Sequence, residues 1–287
     1  MKVVVGLAEL RLARESLANP MGLITTMGFL HEGHLSLVRR AVQECVSVGV
    51  SIFINPAQFG PTEDLDNYPV DLERDLDLLK AEQVDLVWTP TEAAMYGAGY
   101  QTWVEVEELT RYLEGEIREE HFRGVATVVT KMFNSFQPNR AYFGQKDAQQ
   151  AIVIRRMVQD LNFPIEVIVC PTLREADGLA MASRNSYLNP DERRAATVIY
   201  RALSAANELF NTGEREADGL RAEMVTLLRT EPLARAEYAS VADPETLEEL
   251  HGPLERALLS MAVFIGETRL IDNMTVGEER GSYAVDD

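Results

Sequence analysis

The strongest constraint on this chain is an alternation, up to about residue 170, of short apolar runs with longer stretches of helical periodicity. VSIFIN, from Val50 to Asn55, is a continuous apolar run, and a strand that reads so is buried on both faces. Gly22 to Met27 (GLITTM), Val84 to Trp88, Arg140 to Gly144 and Ile165 to Cys170 read as further strands. Between them, Leu35, Val38, Val42 and Cys45 recur at the 3.6-residue period of a half-buried helix. Asp71 to Gln83 and Asp147 to Leu161 also read as helices. Gly124 to Phe136 carries Val125, Val128, Val129, Met132, Phe133 and Phe136 on one stripe, and Pro138 stops it. Units of this kind predict an α/β fold, a parallel sheet with helices on both sides, whose ligands bind beyond the carboxyl ends of the strands.

Past Thr172 the pattern changes. Asn189-Pro190-Asp191 is a helix start, a capping side chain followed by proline at the first helical position. One long helix carrying Val198, Ala202, Leu203, Ala206 and Leu209 is expected to follow, then a second near Leu220 to Arg229. Strand-like pieces at Ala236–Val241 and Met261–Ile265 are broken by Pro244, Gly252 and Pro253. This predicts a smaller α+β domain, with residues 1–174 and 175–287 as the division; 287 residues suit two domains. The last residues, GEERGSYAVDD, are polar and read as frayed.

Charge and cysteine usage exclude several function classes. Lys and Arg number 27 against 46 Asp and Glu, a net charge of −19, which repels phosphate backbones and argues against nucleic-acid binding. A small anionic substrate remains compatible, since a local cationic pocket reverses the field. The two cysteines, Cys45 and Cys170, form neither a metal spacing nor a disulfide framework and read as buried inert thiols. No uncharged apolar run approaches the length of a membrane span, and MKVVVGLAEL lacks a signal-peptide core. A reducing cytoplasm is the expected setting.

Chemistry concentrates at strand-to-helix junctions. Thr26-Met27-Gly28-Phe29-Leu30-His31-Glu32-Gly33-His34 places two of the chain's four histidines three residues apart, just before a helix. The glycines let backbone approach a ligand. The helix start offers amide groups and a positive dipole end to phosphate, and imidazoles there donate to phosphate oxygens as charge builds. A zinc site is not supported, because no third ligand is near in sequence. Tyr142 to Gln150 (YFGQKDAQQ) sits at another such junction. Lys146 offers a point charge, Gln150 a side-chain amide one helical turn on, and Asp147 a helix cap. Met181-Ala182-Ser183-Arg184 holds groups suited to phosphate oxygens. Asn55 and Gln58 in FINPAQFG suit a polar substrate held against Phe59, and His121-Phe122-Arg123-Gly124 adds a cation before a helix.

Four of these strings, MGFLHEGHLSLV, FINPAQFG, YFGQKDAQQ and READGLAMASRNSYL, in this order and spacing, resemble the pantoate–β-alanine ligases, with HFRGV and DLDNYP also fitting. His-x-Gly-His alone indicates only the wider nucleotidylyltransferase superfamily. The resemblance runs along nearly the whole chain. It implies a Rossmann-like N-terminal domain with a smaller C-terminal lid domain, a homodimer, and ATP and Mg²⁺ in a two-step reaction. Pantoate would attack ATP to give pantoyl adenylate and pyrophosphate, and β-alanine would then displace AMP. Carried over, His31, His34, Lys146 and Arg184 would act on the phosphates, and His34 matches the position usually assigned as proton donor. Met27, Gly28, Phe29, Leu30, Glu32 and Gly33 would shape the nucleotide cradle with Gly144, Gln145 and Asp147, the last near the ribose. Leu173 would meet the adenine, and Met181, Ala182 and Ser183 would meet the phosphates. Gln58 and Gln150 would hold pantoate, Gln58 also lying near β-alanine, and Asp75 would bind magnesium.

Two positions depart from the family pattern. Thr26 stands where proline is usual, which frees a backbone N–H and removes a fixed φ, so a less preset loop is expected. Ala182 stands where serine is usual and deletes a hydroxyl worth about 0.5–1.5 kcal/mol, so ATP should bind more weakly. The alternatives are another nucleotidylyltransferase with the same histidine loop, or a nucleotide-binding relative without turnover.

Overall fold

The computed structural model of the chain describes residues 1–61 and 63–277. Of the described residues, 174–180 and 184–277 cluster as one compact unit, and those up to 173 with 181–183 as another. The polar end of the chain from residue 278 lies outside the described residues. No helix among the described residues is long and apolar enough to cross a membrane.

The first unit runs β1 (Lys2–Val4), α1 (Leu7–Glu15), β2 (Met21–Thr26), α2 (Glu32–Glu44), β3 (Ser47–Ile52), α3 (Leu72–Ala81), β4 (Leu86–Trp88), the single-turn α4 (Glu92–Met95) and α5 (Glu114–Ile117), α6 (His121–Phe136), β5 (Arg140–Gly144), α7 (Ala148–Asp160) and β6 (Glu166–Cys170). The strands form one six-stranded sheet, ordered β1-β4-β3-β2-β5-β6, every pair parallel. Helices α2 and α3 pack together on one face, and α6 packs with α1 and α7 on the other. Leu35, Val38 and Ala41 of α2 bury against Ile24, Val48 and Val50. Each of these leucine, valine and isoleucine side chains contributes about 1.5–3 kcal/mol by leaving water. The expected doubly covered parallel sheet is what forms.

Several local boundaries differ from expectation. The strand expected at Val50–Asn55 occupies Ser47–Ile52: its first half, with Ser47 and Gly49, is not apolar enough to read. Phe53 is buried past the strand's end, so apolar sequence there signals packing, not pairing. Cys45 is not on the face of α2 but at its C-cap in extended backbone, half-buried, with Sγ 3.4 Å from the Tyr142 hydroxyl. β1 and α1, and the last strand of the second unit, were not anticipated.

The second unit holds α8 (Pro190–Ala195), α9 (Thr197–Asn211), α10 (Ala217–Leu228), β7 (Ala234–Ala242), β8 (Ala257–Ile265) and β9 (Thr268–Val276), the strands forming an antiparallel sheet in that order. Asn189 caps α8 by accepting from the Asp191 and Glu192 amides. The expected single helix is broken at Ala196 into α8 and α9. Helices α9 and α10 cover the sheet, and the central β8 is almost wholly buried. Arg174 begins the excursion of 174–180 into this unit; its guanidinium grips Asp272 at 2.5 and 3.0 Å and lies 4.6 Å from the Tyr200 ring.

Candidate active site

The order in which the parallel strands are laid down reverses at β2. β3, β4 and β1 lie to one side and β5 and β6 to the other, so the connections leaving β2 and β5 part around a crevice at the carboxyl edge. Open parallel sheets bind ligands at such a point. The histidine loop follows β2, and the Lys146 segment follows β5.

The loop after β2 is strained and held. Gly28 has φ +93° and Phe29 φ +51°, the left-handed region that glycine tolerates and phenylalanine does not. The Asp75 carboxylate, buried on α3, accepts from the Phe29 and Leu30 amides, each at 2.7 Å. The Arg74 guanidinium sits 5.6 Å above the Phe29 ring. The Thr26 hydroxyl accepts from the Gly28 amide at 2.9 Å, a tie across the turn that proline could not make. Asp75, assigned to magnesium by resemblance, has both oxygens on backbone amides. No group of three or more His, Cys, Asp or Glu able to hold a metal occurs among the described residues.

The spacing of the two histidines is that of a helix cap. His31 is the N-cap of α2, and its Nδ1 accepts from the Gly33 amide at 3.1 Å. His34, three residues on, returns its Nδ1 to the His31 amide at 3.3 Å. This is a capping box built from imidazoles. Both Nδ1 atoms accept, so each neutral ring carries its proton on Nε2. Gly33 is required by this cap rather than by a ligand alone, since a Cβ there would lie 2.8 Å from His31 Cε1. The rings stand 4.1 Å apart.

Burial, then the nearby Lys146 ammonium, pushes the His31 pKa down to about 4. Burial, then His31 and Lys146, pushes His34 down to about 3. His121 is held at about 4 by burial and Arg118. All three are therefore neutral donors at pH 7. The unfolded chain takes up these protons below pH 6.5 while the folded one does not, so their contribution to stability is full above 6.5 and is lost as pH falls toward 4. Each imidazole costs at most about 1.4 kcal/mol per pH unit in that window. Melting temperature is expected to drop between pH 6.5 and 5, and less steeply in His121→Gln; equal slopes would show that His121 is not proton-linked to folding.

After β5, Gln145–Asp147 forms a 3₁₀ turn leading into α7. Asp147 occupies the N-cap but makes no capping hydrogen bond; its Oδ1 lies 3.5 Å from Lys146 Nζ instead. The Lys146 charge acts on both histidines and the Asp147 charge on His31, so these groups lie within electrostatic reach of one another. Ser183 joins them, its hydroxyl donating to the Phe29 carbonyl at 3.4 Å, and the Met181 amide donates to the Leu173 carbonyl at 3.0 Å. Ala182 lies half-buried between. Glu32 is not brought in: it is exposed and paired with Arg39 at 2.8 Å. Arg184 belongs to the second unit.

The connection after β3 supplies a polar cluster that sequence reasoning saw only in part. Asn55 Nδ2 donates to Gln58 Oε1 at 3.0 Å and to the Gly124 carbonyl at 3.2 Å. Tyr96 donates its hydroxyl proton to Asn55 Oδ1 at 2.7 Å. Gln58 Nε2 lies 3.3 Å from Met27 Sδ, which brings this cluster to the histidine loop. The Gln58 carbonyl accepts from His121 Nδ1 at 2.8 Å and from Arg118 at 3.3 Å. Tyr96 carries no sequence signal, standing in the unremarkable string EAAMYG. Gln150 is half-buried on α7, whereas its neighbour Gln149 is buried and structural, donating to the Leu109 and Tyr112 carbonyls.

A parallel α/β sheet with neutral imidazoles and an ammonium at its switch point defines a protein built to receive a polyanion beside a polar small molecule. The sequence model of the family described as pantoate-beta-alanine ligase matches residues 2–275. A pantothenate synthetase from Roseiflexus sp. (strain RS-1) is 60% identical over 273 residues, 95% of this chain and 98% of that protein. The crystal structure of pantothenate synthetase from Thermus thermophilus superposes with a TM-score of 0.92 at 47% identity, covering 97% of this chain and 100% of that one. A pantoate-beta-alanine ligase from Francisella tularensis, complexed with beta-gamma ATP and beta-alanine, gives 0.79 at 32% identity, covering 96% and 97%. The chain belongs to the pantoate–β-alanine ligase family.

Proposed function

We propose that this chain condenses pantoate with β-alanine, consuming ATP to activate the acid as pantoyl adenylate. The observation that carries the reading is the pair of histidines whose Nδ1 atoms are taken up by the helix cap, leaving both Nε2–H groups as donors beside Lys146. The first step brings two anions together, and their repulsion dominates its barrier. A pantoate carboxylate oxygen attacks the α-phosphorus, and the bond to the bridging oxygen breaks, releasing pyrophosphate. Imidazole donors and the ammonium stabilise charge developing on the phosphates, and Gln58 and Gln150 orient the acid. The β-alanine amine, deprotonated, then attacks the acyl carbon and AMP leaves. Neither step needs a covalent enzyme nucleophile.

Magnesium belongs here to the substrate, as MgATP. It takes few protein ligands when phosphates are present, and the described residues form no cage for it. Gly28, Gly33, Gly144, Gln145, Asp147, Leu173, Met181 and Ser183 keep the nucleotide-cradle role, and Arg184 is assigned to the phosphates by resemblance. A homodimer is carried by the family likeness. The two free thiols support a reducing, cytoplasmic setting.

Incubation with MgATP and pantoate, read by mass, is expected to give pyrophosphate and pantoyl adenylate. Adding β-alanine should convert the latter to pantothenate and AMP. AMP released at the same rate without pantoate would sink the reading.

A further inference from the structure

Buried amides must have every polar atom met, and Asn55, at 1% exposure, shows how. The Gly124 carbonyl can only accept, so it takes Nδ2 and settles which way the amide faces. The second Nδ2 proton goes to Gln58 Oε1, and Oδ1 is left facing the Tyr96 hydroxyl, which must donate. With its oxygen turned to Asn55, Gln58 directs Nε2–H outward. Its partner there among the described residues is the Met27 thioether, a weak acceptor that a carboxylate or hydroxyl would readily replace. His121 and Arg118 fix the Gln58 backbone from the other side.

We propose that Tyr96 is a positioning residue for the acid substrate, acting through Asn55 to hold the Gln58 amide with its donor toward pantoate. The inference rests on the reading that Gln58 binds pantoate. Burial keeps the Tyr96 phenol well above its ordinary range, so it remains a donor at every working pH. Without that hydroxyl, Asn55 Oδ1 is buried without a donor. The Gly124 carbonyl bars a full turn of the amide, so the relief open to Asn55 is a shift toward another donor, which weakens the Nδ2 bond to Gln58 Oε1 and loosens the hold that keeps the Gln58 donor outward. Tyr96→Phe keeps the ring in place against Tyr100 and Trp103, at centroid distances of 5.1 and 5.9 Å, so the fold survives.

The test is a double-mutant cycle in the full enzyme, reading KM for pantoate and for ATP separately. Gln58→Ala should raise the pantoate KM about tenfold or more, and Tyr96→Phe about five- to tenfold, the scale of one hydrogen bond. ATP's KM should stay within about twofold, and the double variant should match Gln58→Ala alone. An unchanged pantoate KM in Gln58→Ala removes the reading beneath the inference. If Gln58→Ala raises it but Tyr96→Phe does not, or if Tyr96→Phe adds its full factor in the Gln58→Ala background, Tyr96 does not act through Gln58. An equal rise in ATP's KM would reduce Tyr96 to general packing.

Discussion

Replacing His34 with alanine is expected to slow adenylate formation by roughly 10²–10³, the scale of losing one preorganised donor to a developing oxyanion. The loss should fall on kcat with little change in the KM for pantoate. The form in which His34 acts is decided by its pKa near 3. An imidazolium is scarce there at pH 7, so the ring works as a neutral hydrogen-bond donor rather than as an acid handing over a proton. His34→Gln separates the two roles. Glutamine is the other natural partner in a capping box, so its Oε1 can take the His31 amide while its Nε2–H points where the imidazole pointed. It cannot transfer a proton. Glutamine should therefore recover about tenfold or more over alanine in a single-turnover assay of pyrophosphate release. Glutamine no better than alanine would return His34 to proton transfer, and alanine within about threefold of wild type would remove it from the mechanism.

What could be read in the sequence was whatever repeats or concentrates. Alternating apolar runs and 3.6-residue stripes set the parallel sheet, and the strand–loop–helix placement of His31 and His34 set the crevice, because both follow from chain-local patterns. Contacts that depend on distant residues were not legible. Asp75 lies 45 positions from the Leu30 amide it holds, and an acidic residue in an acidic stretch of α3 gives no hint that it faces inward. Tyr96 is 41 positions from Asn55. At Thr26 the loss of proline reads as loss of stiffness, and the bond its hydroxyl makes two residues on is not visible in the sequence. The same holds for Gly33, which looked like space for a ligand and is also space for the His31 ring.

Asp75→Asn is expected to lower activity by about 10² and the melting temperature by several degrees. The substitution is nearly isosteric, so the effect isolates what the second oxygen does. The asparagine oxygen can still accept from one of the Phe29 and Leu30 amides, but its NH₂ then confronts the other, donor against donor. A buried amide left unmet costs about 1–3 kcal/mol, and in a chain of this size each kcal/mol moves the melting point by about 2–4 °C. The amides at stake belong to the turn with positive φ at Gly28 and Phe29, whose strain persists only while its surroundings enforce it. Relaxing that turn moves the cap that follows and, with it, both Nε2–H donors; a displacement of about 1 Å is enough for a 10²-fold loss. Raising magnesium distinguishes this from a metal-ligand role. If Asp75 holds the loop, excess magnesium restores neither activity nor melting temperature in Asp75→Asn. If activity returns with magnesium while the melting temperature never fell, the carboxylate serves the metal, and the loop owes its shape to Thr26 and Ser183 instead.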